Sequence, residues 1–269
     1  MIELTDTHCH IHDLVKNLTP THDKWFADKA ERTPESVIAA AYEADVTKMI
    51  CIGTSLADSD LAIEFVADRE GLWASIGIHP HEAKDHLSTE VQSRFAALAT
   101  APKVVAVGEC GLDYYYGLSP KSDQEKVLRF QIELALTHDL PLSFHVRDAF
   151  DDFWPIFDSY TGVRGVLHSF TDSIANLEKG LERGLYIGVN GIATFGRDEA
   201  KDVLNRTIPQ QALLLETDAP YLTPAPNRGK VCEPKHIRVT AEYLSELRGE
   251  SLAQLASVTT ENTQILFGI

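Results

Sequence analysis

The sequence predicts a (β/α)8 TIM barrel, and three observations carry that prediction. Eight apolar strand-like runs lie along the 269 residues, with a helical start signal after most of them, the arithmetic of such a barrel at ~250 residues. Four of the runs end directly in a residue able to ligate a metal ion. The first run carries a His-x-His pair, Asp6-Thr7-His8-Cys9-His10.

Taken in order, strand-like runs lie near residues 3–8, 47–53, 72–78, 104–109, 141–146, 164–168, 185–190 and 212–217. The intervening stretches open with helical caps. Thr33-Pro34-Glu35 sets a capping hydroxyl before a proline suited to the first turn, and Ser55, Ser88-Thr89-Glu90, Ser122-Asp123-Gln124-Glu125, Asp148, Ser173 and Asp198-Glu199 repeat the signal in variants. From Glu233 onward no strand follows. Two helices are expected there, Pro234 to about Leu247 and Ser251 to Phe267, closing the barrel. No linker, low-complexity tract or solenoid repeat interrupts the chain, so residues 1–269 read as one domain.

Composition narrows the class. No run of ~18 apolar residues is present and the N-terminus has neither the basic nor the apolar region of a secretory signal, so a cytoplasmic protein without a membrane span is expected. Cys9, Cys51, Cys110 and Cys232 are far apart with no Cys-x-x-Cys, which fits reduced packing thiols rather than a zinc ribbon or redox pair. The 24 Lys and Arg against 40 Asp and Glu give a formal charge of −16, which argues against wrapping long duplex DNA. Two divalent ions at the barrel mouth, with Arg147 and Arg228 nearby, would make a local exception for a short strand or a strand end.

Residues i and i+2 of a strand point to one side, so His8 and His10 can present two imidazoles to one ion. The runs that end in ligand types supply Glu109, His145, His168 and Asp218. In a barrel the C-terminal strand ends meet at one mouth. These six residues are therefore expected to converge there.

Six segments together resemble the TatD family of metal-dependent deoxyribonucleases: Asp6-Thr7-His8-Cys9-His10, Ile76-Gly77-Ile78-His79-Pro80-His81, Gly108-Glu109-Cys110-Gly111-Leu112-Asp113-Tyr114-Tyr115, Phe144-His145-Val146-Arg147-Asp148-Ala149, Leu167-His168-Ser169-Phe170, and Glu216-Thr217-Asp218-Ala219-Pro220-Tyr221-Leu222-Thr223-Pro224. They keep the family's order and span nearly the whole chain. Glu233-Pro234-Lys235-His236-Ile237 and Asn262 fit as well. Two places depart: Ile11-His12 stands where the family has Leu-Asp, and Val231-Cys232 where it often has Arg-Asn.

The resemblance implies a TIM-barrel hydrolase with two divalent ions, Mg, Mn or Zn, that cleaves DNA phosphodiesters, commonly as a 3′-to-5′ exonuclease on single strands. By matching position His8, His10 and Asp218 would hold one metal, His145 and His168 the other, and Glu109 would bridge them. A carboxylate has two oxygens for two ions where an imidazole has one lone pair. Asp218 and Glu109 are the expected catalytic carboxylates, Asp218 orienting or deprotonating water. His79, His81, Arg147 and Arg228 are the expected substrate contacts. Arg147 can clamp a phosphate or pair with Asp148 or Asp151, and Tyr114, Tyr115, Tyr116 and Phe170 can stack a base or pack a loop. A second reading keeps barrel and metals but hydrolyses esters, amides or aminoacyl-tRNA.

Overall fold

The computed structural model describes residues 2–196 and 198–269. Its strands are β1 (Leu4–Cys9), β2 (Val46–Ile52), β3 (Leu72–Ile76), β4 (Val104–Asp113), β5 (Leu142–Arg147), β6 (Gly165–Leu167), β7 (Tyr186–Val189) and β8 (Leu213–Leu215). The α-helices are α1 (Pro20–Trp25), α2 (Pro34–Glu43), α3 (Leu56–Val66), α4 (Thr89–Leu98), α5 (Lys121–His138), α6 (Phe150–Phe157), α7 (Ile174–Glu182), α8 (Glu199–Thr207), α9 (Ile237–Arg248) and α10 (Leu252–Phe267). The strands form one parallel sheet in chain order, the strand order of a (β/α)8 TIM barrel. Among the described residues no helix is long and apolar enough to cross a membrane.

The chain divides into two compact units, one running to Cys51 and resuming from Ser169 to Ile269, the other spanning Ile52–His168. In the first, β1 pairs with β2 and β7 with β8. Cys9 also bridges Ala219, beyond the end of β8. Helix α10 is tied to both ends of this unit. Asn262 Nδ2 donates to the Gln210 and Leu213 carbonyls, and Thr260 Oγ1 to the Glu3 carbonyl. Its start is a capping box of Ser251 and Gln254.

The second unit pairs β3 with β4, β4 with β5 and β5 with β6. Phe144 of β5 packs edge-on against Phe153 and Phe157 of α6, at 5.2 and 5.9 Å between ring centres. At Gly111 a Cβ would lie 1.8 Å from the His145 carbonyl oxygen. Only glycine permits that approach of β4 to β5.

Five of the seven expected caps act as their sequence suggests, whereas α5 opens at Lys121 behind Pro120 and α6 behind Ala149, so neither Ser122 nor Asp148 caps a helix. Thr33, Ser55, Ser88, Ser173 and Asp198 each accept a first-turn N–H of the helix they precede. Two elements differ from expectation. Helix α1, capped by Thr19 with Pro20 in its first turn, is additional. Strand β4 runs on to Asp113 because Cys110 through Asp113 pair with Phe144 through Arg147. Glu109 and His145 therefore lie inside their strands rather than at the ends, with a register shift in β4 between Val107 and Cys110.

Candidate metal centre

In the first unit, His8 and His10 project from the same side of β1 and its extension toward Asp218. Their Nε2 atoms lie 3.7 and 3.4 Å from one Asp218 carboxylate oxygen. Asp218 has a left-handed backbone, φ 60°, a strained setting for a non-glycine residue that is common at functional sites. Its N–H donates to the His8 carbonyl, and the His10 N–H donates to the Ala219 carbonyl. The carboxylate is thereby fixed to the strand that carries the two imidazoles. Beneath it Asp6, fully buried, accepts hydrogen bonds from the His8 and Thr217 N–H groups and the Thr217 hydroxyl. Burial pushes its carboxyl up to about 8 against those hydrogen bonds. Trp25 of α1 donates to the His10 carbonyl at 3.0 Å.

In the second unit Glu109, 5% exposed, faces three histidines. Its Oε1 lies 2.8 Å from His145 Nδ1, 3.7 Å from His79 Nε2 and 3.8 Å from His168 Nε2. The opposite nitrogen of His145, Nε2, lies 2.9 Å from Asp113 Oδ2, and His81 Nε2 lies 3.2 Å from the same oxygen. Asp113 also accepts the N–H groups of Tyr115 and Tyr116. Burial opposes ionisation of Asp113, but hydrogen bonds from His145 and His81 hold its carboxyl well below the usual carboxylate range. Burial likewise disfavours the His145 cation, yet Asp113 and Glu109 on its two nitrogens push it up to about 9. Burial takes His79 the other way, down to about 3, with Glu109 opposing and His145 and His81 adding. His79 Nδ1 accepts the His81 N–H at 3.1 Å. The one proton of its neutral ring is then on Nε2, on the Glu109 side.

Both clusters offer donors of the kinds that hold a metal ion. Donors around one tetrahedral ion at about 2.0–2.2 Å lie roughly 3.3–3.6 Å apart, close to the separations of His8 and His10 from Asp218. His79, Glu109 and His145 also offer ligand atoms within 4.8 Å of one another. A third group of ligand types, His10, His12 and Asp13, is buried where the sequence departs from the family pattern.

Both arginines are stacked on aromatic rings, and the Tyr116 ring under Arg147 lies 5.4 Å from that of His81. Arg147 lies over the Tyr115 and Tyr116 rings, 4.0 and 5.0 Å from their centres. No ion pair joins it to Asp148 or Asp151 among the described residues. Arg228 lies 4.0 Å over Phe195. All four cysteines are free and buried, and Cys9 and Cys110 donate to the Ile50 and Ser143 carbonyls as packing thiols would.

Asp113 and Asp6 are the residues whose roles the sequence reading leaves unassigned. Positions 109, 111 and 113 share a strand face by alternation, a signal lost once β4 is ended at Glu109.

Residues 5–268 match the family described as TatD related DNase. The chain belongs to the TatD family. It is 35% identical over 254 residues to the "uncharacterized metal-dependent hydrolase YabD" of Bacillus subtilis, covering 94% of this chain and 99% of that one. It is 34% identical over 246 residues to the 3′-5′ ssDNA/RNA exonuclease TatD of Escherichia coli K12, covering 87% and 93%. Among solved structures, the TatD homologue YjjV of Escherichia coli superposes with a TM-score of 0.86 at 28% identity over 99% of this chain and 98% of its own. The TatD-family barrel is thus the fold, and the chain is a metal-dependent hydrolase of that family.

Proposed function

We propose that this TatD-family hydrolase removes nucleotides from the 3′ end of single-stranded DNA, or of a comparably short nucleic acid, using two divalent ions. The observation that carries the reading is the pair of histidine–carboxylate clusters, His8 and His10 on Asp218 and His145 and His168 on Glu109. His8, His10 and Asp218 would hold one ion and His145 and His168 the other, with Glu109 shared, as a two-oxygen carboxylate can be. His145 would ligate through Nδ1 while its Nε2–H stays on Asp113, the arrangement by which an outer carboxylate orients an imidazole. The chemistry supplied by a bound pair of ions is polarisation of the phosphoryl oxygens and activation of water for in-line attack.

The chain's own residues do the rest. Asp218, fixed to β1 by its backbone, accepts the proton of the attacking water. Neutral His79 can donate its Nε2–H to a phosphate oxygen, and His81 stands beside it, 4.3 Å between ring centres. Arg147 and Arg228, stacked on aromatic rings, serve the strand farther from the cut. The names of the exonuclease relatives support nucleic acid as substrate, and the formal charge of −16 favours a strand end over a wrapped duplex.

The test is a panel of Mg²⁺, Mn²⁺ and Zn²⁺ against end-labelled single-stranded DNA, RNA, closed circular duplex, simple esters and charged tRNA. Stepwise loss from the 3′ end with the circle intact is expected. Nicking of the circle as fast as end trimming, or turnover of esters or charged tRNA without nucleic-acid degradation, overturns the reading.

A further inference from the structure

A cavity of about 410 Å³ lies in the first unit between the loop after β6, the end of β7 and helix α8, a size usual for small-molecule sites. Its walls are apolar at Phe170, Val189, Ile192 and Leu204. Set among them is Asn205, 3% exposed, whose carboxamide has no hydrogen-bond partner among the described residues. Its carboxamide is not one of the sealed, unpartnered polar groups of the described interior, so it is open to whatever occupies the cavity. A carboxamide presents a donor and an acceptor side by side. That is the complement of a nucleobase edge, which an asparagine can read with two hydrogen bonds.

The cavity wall is joined to the loop that carries Asp218. Asn190, which lines the cavity, donates to the Ser169 hydroxyl at 2.8 Å and to Glu216 Oε1 at 3.4 Å. Glu216 also accepts the Ser169 N–H, and it precedes Asp218 by two residues. At Gly188 a Cβ would meet the Glu216 carboxylate at 2.3 Å. The Phe170 N–H donates to the Gly188 carbonyl, which sets the ring against the cavity. One hydrogen-bonded unit therefore holds the apolar wall and the strand end leading to the catalytic carboxylate.

We propose that this cavity is a nucleobase subsite that receives one base of the substrate strand, with Phe170 and Leu204 against its faces and Asn205 reading its edge. An unpaired base enters such a pocket by contact with aromatic or apolar walls plus hydrogen bonds at its edge. The choice of ligand rests on the nuclease reading.

The experiment titrates the four deoxynucleoside 5′-monophosphates, and deoxyribose 5-phosphate as the base-free control, into the full chain by calorimetry in EDTA. Asn205→Leu removes the reading edge. Ala200→Trp, at an exposed position on the cavity rim, blocks the entrance without touching the core and decides the matter should the first variant fold poorly. At least one monophosphate is expected to bind the wild type more tightly than deoxyribose 5-phosphate does, and to lose tenfold or more in affinity in each folded variant. Equal affinities across the three proteins, or no preference for a base over none, overturn the subsite. Failure of the wild type to degrade any nucleic acid with any ion is a separate result, which ends the nuclease reading and leaves the binding comparison standing.

Discussion

The two histidine clusters are organised by different means. His8, His10 and Asp218 are placed by backbone: strand alternation aims the imidazoles, and main-chain hydrogen bonds from Asp218 and His10 lock the carboxylate to the same strand. His145 is placed by side chains, held between Glu109 at 2.8 Å and Asp113 at 2.9 Å. A cluster set by backbone survives the loss of one functional group with its geometry intact. A cluster set by a carboxylate network loses geometry along with the group.

That difference orders the expected effects. The largest belongs to Glu109→Ala, which removes the shared carboxylate and the Nδ1 partner of His145 together: kcat/KM should fall roughly 10³-fold or more, with bound metal below two ions per chain by elemental analysis. Two ions retained at saturating metal would remove Glu109 from the bridge. Next is Asp218→Asn, which keeps a carbonyl oxygen for coordination but not the proton acceptor. Metal content should hold while kcat falls roughly 10²-fold, whereas His8→Ala should lose metal affinity first. Near-wild-type turnover by Asp218→Asn with two ions bound would pass the role of base to His79 or His81. Asp113→Asn tests the side-chain-set cluster alone and should weaken metal binding about 10- to 100-fold. An unchanged metal titration would show that β4 and β5 place His145 without help.

The smallest effect concerns the support behind the backbone-set cluster. Arg32 donates twice to Asp28, once to Glu233 and once to the Trp25 carbonyl, and Trp25 in turn holds His10. The Arg32 hydrogen bonds hold the Asp28 carboxyl well below the usual carboxylate range. A depressed folded-state value means that the stabilisation is present above the unfolded value, about pH 4, and is lost as pH falls from there through the folded value. Asp28→Asn should therefore lower Tm by a few degrees at pH 7, with the gap to wild type closing on acidification below about pH 4. A gap that stays constant with pH would assign the effect to something other than this ion pair.

The barrel was legible because buried strands and capped helices are both local signals: all eight strands fall where apolar runs lie, and Thr33, Ser55, Ser88, Ser173 and Asp198 cap where they were read. Thr19-Pro20 carries the same signature as Thr33-Pro34, but its helix has only six residues, too few to show a helical period. The end of β4 is hidden from the sequence for another reason. Glycines at 108 and 111 look like a strand terminus, and it takes the partner strand to reveal that Gly111 is there to admit the His145 carbonyl. Ligand types at strand ends could be found one by one. A hydrogen bond such as Asp113 to His145, 32 positions away, is tertiary and has no local mark. The cavity walls are scattered from Phe170 to Asn205, and no spacing rule joins them.

The tie that Asn262 and Thr260 make from α10 to β8 and to the start of β1 also bears on the order in which the molecule can come into being. Ile52–His168 is continuous in sequence, so all the residues of the cluster of Glu109, Asp113 and His145 are available once that stretch has left the ribosome. The strand that presents His8 and His10 is made before that stretch, yet its unit is finished only when α10 arrives. Until then β1 has no completed unit to join, and its imidazoles wait through the synthesis of the whole of Ile52–His168 and of the elements that follow it.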